Sequence, residues 1–129
     1  MTSRNFILLA SLFGFLGVAF GAFGAHALAA RFAEHPTREA TFHTAVHYQM
    51  IHALALIGAA WLLERAPSRV ARWAGILFAV GTILFSGSLT ILSVFEVRMM
   101  GAVAPLGGLA LLGGWVCLGI AAWRTPAKV

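Results

Sequence analysis

This chain of 129 residues is poor in charge and in cysteine. Only 10% of its residues are Asp, Glu, Lys or Arg, whereas 60% are hydrophobic. A small soluble domain needs polar residues over most of its surface, so this composition excludes one. The single cysteine, Cys117, excludes a disulfide framework and a thiolate metal cluster within one chain. We expect Cys117 to be a small packing residue in a protein that lipid partly covers.

The few charged residues are mostly basic. Nine Lys and Arg against four acidic residues give a formal net charge of +5. These basic residues lie in connectors and tails, where they can meet lipid headgroups, and they form no stripe along a polar helix. We therefore expect the lipid bilayer, and no nucleic acid, as a partner.

Four long apolar segments divide the chain, at residues 6–28, 42–63, 73–95 and 102–123. At about 1.5 Å per residue, each helix would cross the roughly 30 Å hydrocarbon core of a bilayer. A helix also satisfies its own backbone hydrogen bonds in lipid. The sequence predicts an all-α integral membrane protein, with four transmembrane helices in one bundle and a single domain over residues 1–129.

Proline and hydroxyl residues indicate where these helices begin. Pro36 and Thr37 suit the start of the second helix, and Ser68 suits the cap of the third. Pro105 falls in the first turn of the fourth, where its missing amide has no intrahelical partner. We predict helices at about 6–28, 37–63, 69–95 and 102–123.

The distribution of basic residues predicts the orientation of the chain. Six of them fall with the N-terminus, the second connector and the C-terminus, and three fall in the other two connectors. The first group is Arg4, Arg65, Arg69, Arg72, Arg124 and Lys128; the second is Arg31, Arg38 and Arg98. Because cytoplasmic loops carry the excess of Lys and Arg, both termini are predicted to be cytoplasmic.

The first helix carries a stripe of glycines at Gly14, Gly17, Gly21 and Gly24. At about 100° per residue these spacings fall on one face, which lets another backbone approach closely. We predict a close helix contact, within the bundle or between subunits. The alternative is a groove for a ligand such as haem or a lipid tail.

Hydroxyl side chains share one face of the third helix, at Thr82, Ser86, Thr90 and Ser93. In lipid such groups usually bond to a carbonyl one turn earlier or bridge to a neighbouring helix. A polar pore lining is the alternative interpretation.

Histidine and methionine residues gather toward one side of the predicted membrane. They are His26, His35, His43, His47, Met50, Met99 and Met100. His and Met suit copper, and two histidines on facing helices can hold haem b. Because no metal-binding motif accompanies them, we predict no metal and no cofactor, and keep haem or copper at His26 with His43 or His47 as an alternative.

His52 lies deeper, about ten residues into its apolar segment. An imidazole at that depth needs a hydrogen-bond partner, and it is expected to be neutral because burial disfavours its charged form. Tyr48, Ser86 and Ser88 are the candidate partners. The ring is predicted to point into the bundle, either as a polar pin that fixes helix register or as a proton relay or substrate site.

These segments resemble a known family. Its motifs are matched by residues 21–26 (GAFGAH), 48–55 (YQMIHALA), 81–89 (GTILFSGSL) and 105–108 (PLGG) with 114–115 (GW). The sequence is similar to the domain of unknown function 423 family, small inner-membrane proteins related to animal transmembrane protein 256. The resemblance implies a multi-pass protein of the cell inner membrane without an established activity. The polar residues matching its motifs are His26, Tyr48, Gln49, His52, Ser86 and Ser88.

Three functional hypotheses follow. The first is a non-enzymatic protein that packs with copies of itself or serves as an accessory subunit of a membrane complex. The second is a small transporter or channel that uses His52 and the hydroxyls of the third helix. The third is a haem- or copper-binding membrane subunit through His26 with His43 or His47.

Overall fold

The computed structural model describes residues 1–125, and every regular element in that range is an α-helix. Residues 126–129, which include the Lys128 of the charge count, lie outside the described range. The helices are α1 (Ser3–His26), α2 (Ala29–Ala33), α3 (Pro36–Arg65), α4 (Arg69–Phe95) and α5 (Met100–Trp123).

The long helices α3, α4 and α5 contain the predicted apolar segments 42–63, 73–95 and 102–123, whereas α1 ends at His26, two residues before the predicted end at residue 28. Each of these four helices is long and apolar enough to cross a membrane. The short α2 was not predicted, because its connector reads as polar apart from Phe32. Phe32 is fully buried, and its ring centroid lies 5.3 Å from that of Phe42 in α3. One apolar side chain thus anchors the connector against the bundle.

The observed starts of α3 and α4 agree closely with those predicted from proline and capping residues. Pro36 is the first residue of α3, one position before the predicted Thr37, and the N-cap residue His35 makes no side-chain capping bond. Ser68 caps α4 as predicted, because its Oγ accepts a hydrogen bond from the Ala71 amide at 3.1 Å. At the other end of α4, Glu96 takes a left-handed conformation with φ of 61°.

Helices α3 and α4 form the centre of the molecule. α1 packs mainly on α3, α5 packs mainly on α4, and α1 does not meet α5 within residues 1–125. The core between them combines a few large side chains, such as Phe6, Leu56 and Phe78, with many alanines. Small residues let the helices approach closely, which is how helices associate in lipid.

The outer helices α1 and α5 present wide apolar faces. Exposed large side chains on them include Leu8, Phe15, Val18, Leu106, Leu109, Val116 and Trp123. In a bilayer these faces meet lipid tails, so their exposure carries no hydrophobic penalty.

Arg38, near the start of α3, forms hydrogen bonds with the C-terminal end of α4. Its Nε donates to Ser93 O at 2.8 Å, and its Nη2 donates to Val94 O at 3.2 Å. Its Nη1 donates to Glu96 Oε1 at 2.6 Å. The last carbonyls of a helix lack intrahelical partners and favour a cation, so this guanidinium both satisfies them and fixes the two helix ends together.

Candidate functional site

His52 is the polar centre of the bundle. It lies on α3, it is 4% exposed, and its two ring nitrogens each contact a partner. Nδ1 lies 2.8 Å from Tyr48 O one turn earlier, and Trp115 Nε1 donates to Nε2 at 3.2 Å. An indole N–H can only donate and a carbonyl can only accept, so Nε2 is the acceptor and Nδ1 carries the proton. The geometry therefore fits a neutral ring that links α3 to α5.

Aromatic rings surround this imidazole. The ring centroids of Tyr48, Phe78 and Trp115 lie 5.9, 5.7 and 6.1 Å from that of His52. Phe78 and Trp115 also meet edge to face at 5.1 Å. Gly114 makes room for this cluster, since a Cβ there would lie 2.6 Å from the Phe78 ring. Three aromatic rings thus pack against the imidazole.

The predicted partners of His52 differ from those in the structure. Tyr48 contributes its backbone carbonyl and a stacked ring rather than its hydroxyl. Neither Ser86 nor Ser88 bonds to His52; Ser88 Oγ instead donates to Phe85 O at 3.0 Å. Sequence reasoning missed Trp115, which lies 63 residues away on α5. The only sequence feature that points to Trp115 is the GW pair, residues 114–115, among the family motifs.

The hydroxyls of the third predicted helix, now α4, are mostly satisfied within that helix. Thr82 Oγ1 donates to Phe78 O at 2.7 Å, and Ser93 Oγ donates to Thr90 O at 3.0 Å. Ser86 is 1% exposed, and its Oγ has no hydrogen-bond partner among the described residues. These groups are buried between helices, except for Thr90, which is half-buried.

Gln49 ties α1 to α3. Its side chain is buried, and its Nε2 donates to Phe13 O in α1 at 2.8 Å. This bond crosses between helices at the level of the α1 glycines.

The glycine stripe of α1 divides into two parts. Gly17 and Gly24 are buried against α3, where an added Cβ would run into the Met50 side chain and the Phe42 ring respectively. Gly21 has looser contact, with its Cβ position 3.8 Å from Val46, and at Gly14 nothing lies within 4 Å. The close contact thus lies within the chain at Gly17 and Gly24, and Gly14 is outside it.

The histidines of the haem and copper hypothesis do not all converge. His43 and His47 share one face of α3 and line a shallow depression together with Met50. His26, exposed at the end of α1, is not part of that lining. His43 Nε2 instead lies 3.7 Å from Glu39 Oε1. Within residues 1–125, no three His, Cys, Asp or Glu side chains are grouped as metal ligands.

Four helices that are long and apolar enough to cross a membrane define an integral membrane protein. The protein-family model described as "Protein of unknown function (DUF423)" matches residues 20–108. The chain belongs to that family, and the predicted family is confirmed.

Named relatives cover almost the whole chain. The UPF0382 inner membrane protein YgdD of Escherichia coli (strain K12) is 38% identical over 128 residues, spanning 99% of this chain and 96% of YgdD. The UPF0382 membrane protein YwdK of Bacillus subtilis (strain 168) is 40% identical over 120 residues, spanning 92% and 96%. No solved structure matches the chain. The protein is a multi-pass protein of the cell inner membrane.

Proposed function

We propose that this protein is a non-enzymatic membrane protein that acts through helix contacts, either with copies of itself or as an accessory subunit of a larger membrane complex. Nearly all of residues 1–125 are helical, and the connectors between the long helices are short. The chain therefore offers little besides helix surface with which to act.

Four open glycines carry this proposal. Gly14, Gly58, Gly87 and Gly119 lie one on each long helix, and nothing lies within 4 Å of the position that a Cβ would occupy. Glycine in a helix is about 0.5–1 kcal/mol less favourable than alanine, and these four gain no close packing within the chain. Small residues with open space beside them are typical of surfaces where another helix approaches closely.

The α4 hydroxyls favour association over transport. Thr82, Ser88 and Ser93 bond to carbonyls of their own helix and are buried between packed helices. A polar pore would need such groups to face water.

We also propose that both termini face the cytoplasm, following the excess of basic residues on that side. The test replaces Cys117 by alanine and introduces one cysteine, Thr2→Cys or Met99→Cys, for labelling with a membrane-impermeant maleimide. Met99 is 77% exposed and belongs to the opposite connector. In intact spheroplasts we expect labelling at position 99 and not at position 2. The reverse pattern would overturn the orientation.

Association is tested with the full chain in native lipid nanodiscs or mild detergent. Light scattering gives the mass of the particle, and mass spectrometry identifies co-purifying membrane proteins. We expect Gly14→Leu or Gly119→Leu to release a partner or reduce the oligomer, because leucine fills the gap a second helix would use. Leu8→Phe is the matched control, exposed and roughly 120° around α1 from Gly14. A wild-type protein that is monomeric and free of stoichiometric partners would refute the proposal.

A further inference from the structure

A cavity of about 440 Å³ opens beside the His52 centre, between α3, α4 and α5. We call it the aromatic cavity; its walls include Tyr48, His52, Phe85, Gly108 and Trp115. Its volume falls within the roughly 300–1,000 Å³ of small-molecule pockets. Neither the proposed helix contacts nor the glycine stripe of α1 uses it.

The aromatic cavity lies within the membrane. Tyr48 is twelve residues beyond the start of α3 at Pro36, which is roughly 18 Å along the helix axis. Phe85 is ten residues before the end of α4 at Phe95, or roughly 15 Å. Trp115 on its rim is 46% exposed and Tyr48 is 40% exposed. A molecule therefore enters from the lipid, and it must be lipid-soluble.

Flat rings from three helices form the walls. The Tyr48 ring contacts that of Phe85 at 4.7 Å between centroids and stacks on His52 at 5.9 Å, and Trp115 closes the other side. Gly108 brings no side chain into the cavity, and a Cβ at that position would be in ordinary contact with the Phe85 ring at 3.7 Å. Aromatic faces and edges bind a planar ring better than a flexible acyl chain, since stacking adds to apolar burial.

Among the polar side chains that line this cavity, the Trp115 N–H and the His52 ring are already bonded to each other, which leaves the Tyr48 hydroxyl free to donate. The Tyr48 hydroxyl makes no hydrogen bond with any other residue among 1–125, and the Trp115 N–H lies 3.2 Å from its acceptor on His52. In lipid an unpaired hydroxyl is unfavourable, so a ligand with an acceptor oxygen satisfies it. The matching chemistry is a flat apolar ring with carbonyl oxygens and an apolar tail.

We propose that the aromatic cavity binds the ring of a membrane quinone, with Tyr48 donating to a ring carbonyl, the aromatic walls stacking on the ring, and the tail leaving between α3 and α5 into the bilayer. The proposal concerns binding and does not depend on whether the protein associates with other subunits.

The test uses the fluorescence of Trp115 in the full chain, reconstituted in phosphatidylcholine nanodiscs. Replacing the other three tryptophans by phenylalanine (W61F, W73F and W123F) leaves Trp115 as the only reporter. Decylubiquinone should quench it in a saturable way, because the quinone ring would stack beside it. A variant that keeps only Trp61, a lipid-facing residue outside the cavity, should show only the linear quenching of a dissolved quencher. Decylbenzene, with the same tail and no carbonyl, should not compete.

Two variants test the site itself. Gly108→Leu should abolish saturable quenching by filling the cavity, and Tyr48→Phe should weaken binding about tenfold through loss of one hydrogen bond. Circular dichroism melting verifies that each variant folds. If Gly108→Leu does not fold, Tyr48→Phe still tests the site, because it removes only the hydroxyl and keeps the ring packing. Equal competition by decylbenzene would show that an apolar chain suffices and would overturn the proposal. So would unchanged quinone binding in folded Tyr48→Phe protein.

Discussion

The protein contains two glycine-lined helix contacts that differ in stiffness. Between α1 and α3, Gly17 faces the flexible end of Met50 and Gly24 faces the Phe42 ring. Between α4 and α5, Gly107 faces the backbone of Phe85 itself, and Gly81 faces both the Leu111 side chain and its backbone nitrogen at 2.9 Å. A side chain can rotate away from an added methyl group, whereas a helix backbone cannot move without shifting the whole helix.

The hydrogen bonds between helices also differ between the α1 side and the α5 side of the bundle. α1 is joined to α3 by the single bond from Gln49 to Phe13 O, made to a backbone carbonyl. α5 is additionally joined to α3 by the bond between Trp115 and His52, inside an aromatic cluster. We therefore expect α5 to be held more rigidly than α1, and substitutions at the α4–α5 contact to be the more damaging.

The largest effect is expected for Gly107→Leu. The new side chain has no space against the Phe85 backbone, so α4 and α5 must separate. Overpacking of a close contact is expected to lower the free energy of unfolding by about 3 kcal/mol. An SDS titration in mixed micelles, followed by circular dichroism, measures this loss.

Gly108→Ala is the matched control for that variant. It is the next residue on the same helix, and its Cβ would be in ordinary contact with the Phe85 ring at 3.7 Å. We expect its stability to stay within about 0.5 kcal/mol of wild type. Equal losses at positions 107 and 108 would contradict a contact that is limited by the backbone.

A smaller loss, about 2 kcal/mol, is expected for His52→Ala, because the change leaves a gap among aromatic rings and an unpaired indole N–H. Trp115→Phe separates the contribution of the hydrogen bond from that of the packing. It keeps an aromatic ring and removes only the hydrogen bond, for which about 1 kcal/mol is typical between membrane helices. The same micelle titration compares both variants. A stable His52→Ala protein would argue against the polar-pin role and favour a role in binding or proton relay.

The sequence predicted the helices better than their contacts. Long apolar runs specify membrane helices because lipid leaves the backbone few other ways to satisfy its hydrogen bonds. The short α2 escaped prediction because one buried side chain, Phe32, holds it in place. The Ser68 cap could be predicted because its hydrogen bond spans only three residues.

The candidate site depends on contacts distant in sequence. The depth of His52 and its need for a partner follow from its position in an apolar run. Its partner Trp115 could not be derived, because the choice depends on which faces of α3 and α5 meet. That choice follows from the packing of glycines such as Gly114 against Phe78. Closeness in sequence or in depth points to Tyr48 and Ser86, but neither the Tyr48 hydroxyl nor the Ser86 hydroxyl bonds to the imidazole.

Within the α1–α3 contact, Gly24→Ala is expected to exceed Gly17→Ala. Phe42 is fully buried beside Phe32, so its ring has little room to yield at Gly24, and we expect a loss of about 1–2 kcal/mol. Met50 is half-buried, and a thioether chain adapts readily, so Gly17→Ala should stay below about 1 kcal/mol. Thermal melting of both variants side by side measures the difference. A larger loss at Gly17 would mean that Met50 is held as firmly as a ring.

The smallest effect is expected for Gly14→Ala. Gly14 belongs to the same sequence stripe as Gly17 and Gly24, so spacing alone predicts a similar loss, yet nothing lies within 4 Å of its Cβ position. The folded monomer should therefore be unchanged within about 0.5 kcal/mol, or slightly more stable because alanine is the better helix former. Thermal melting in a detergent that keeps the protein monomeric measures the effect of the substitution on the stability of the monomer, without any contribution from association. A loss as large as that of Gly24→Ala would show that Gly14 packs against a helix in the monomer after all, and the division of the stripe would be wrong.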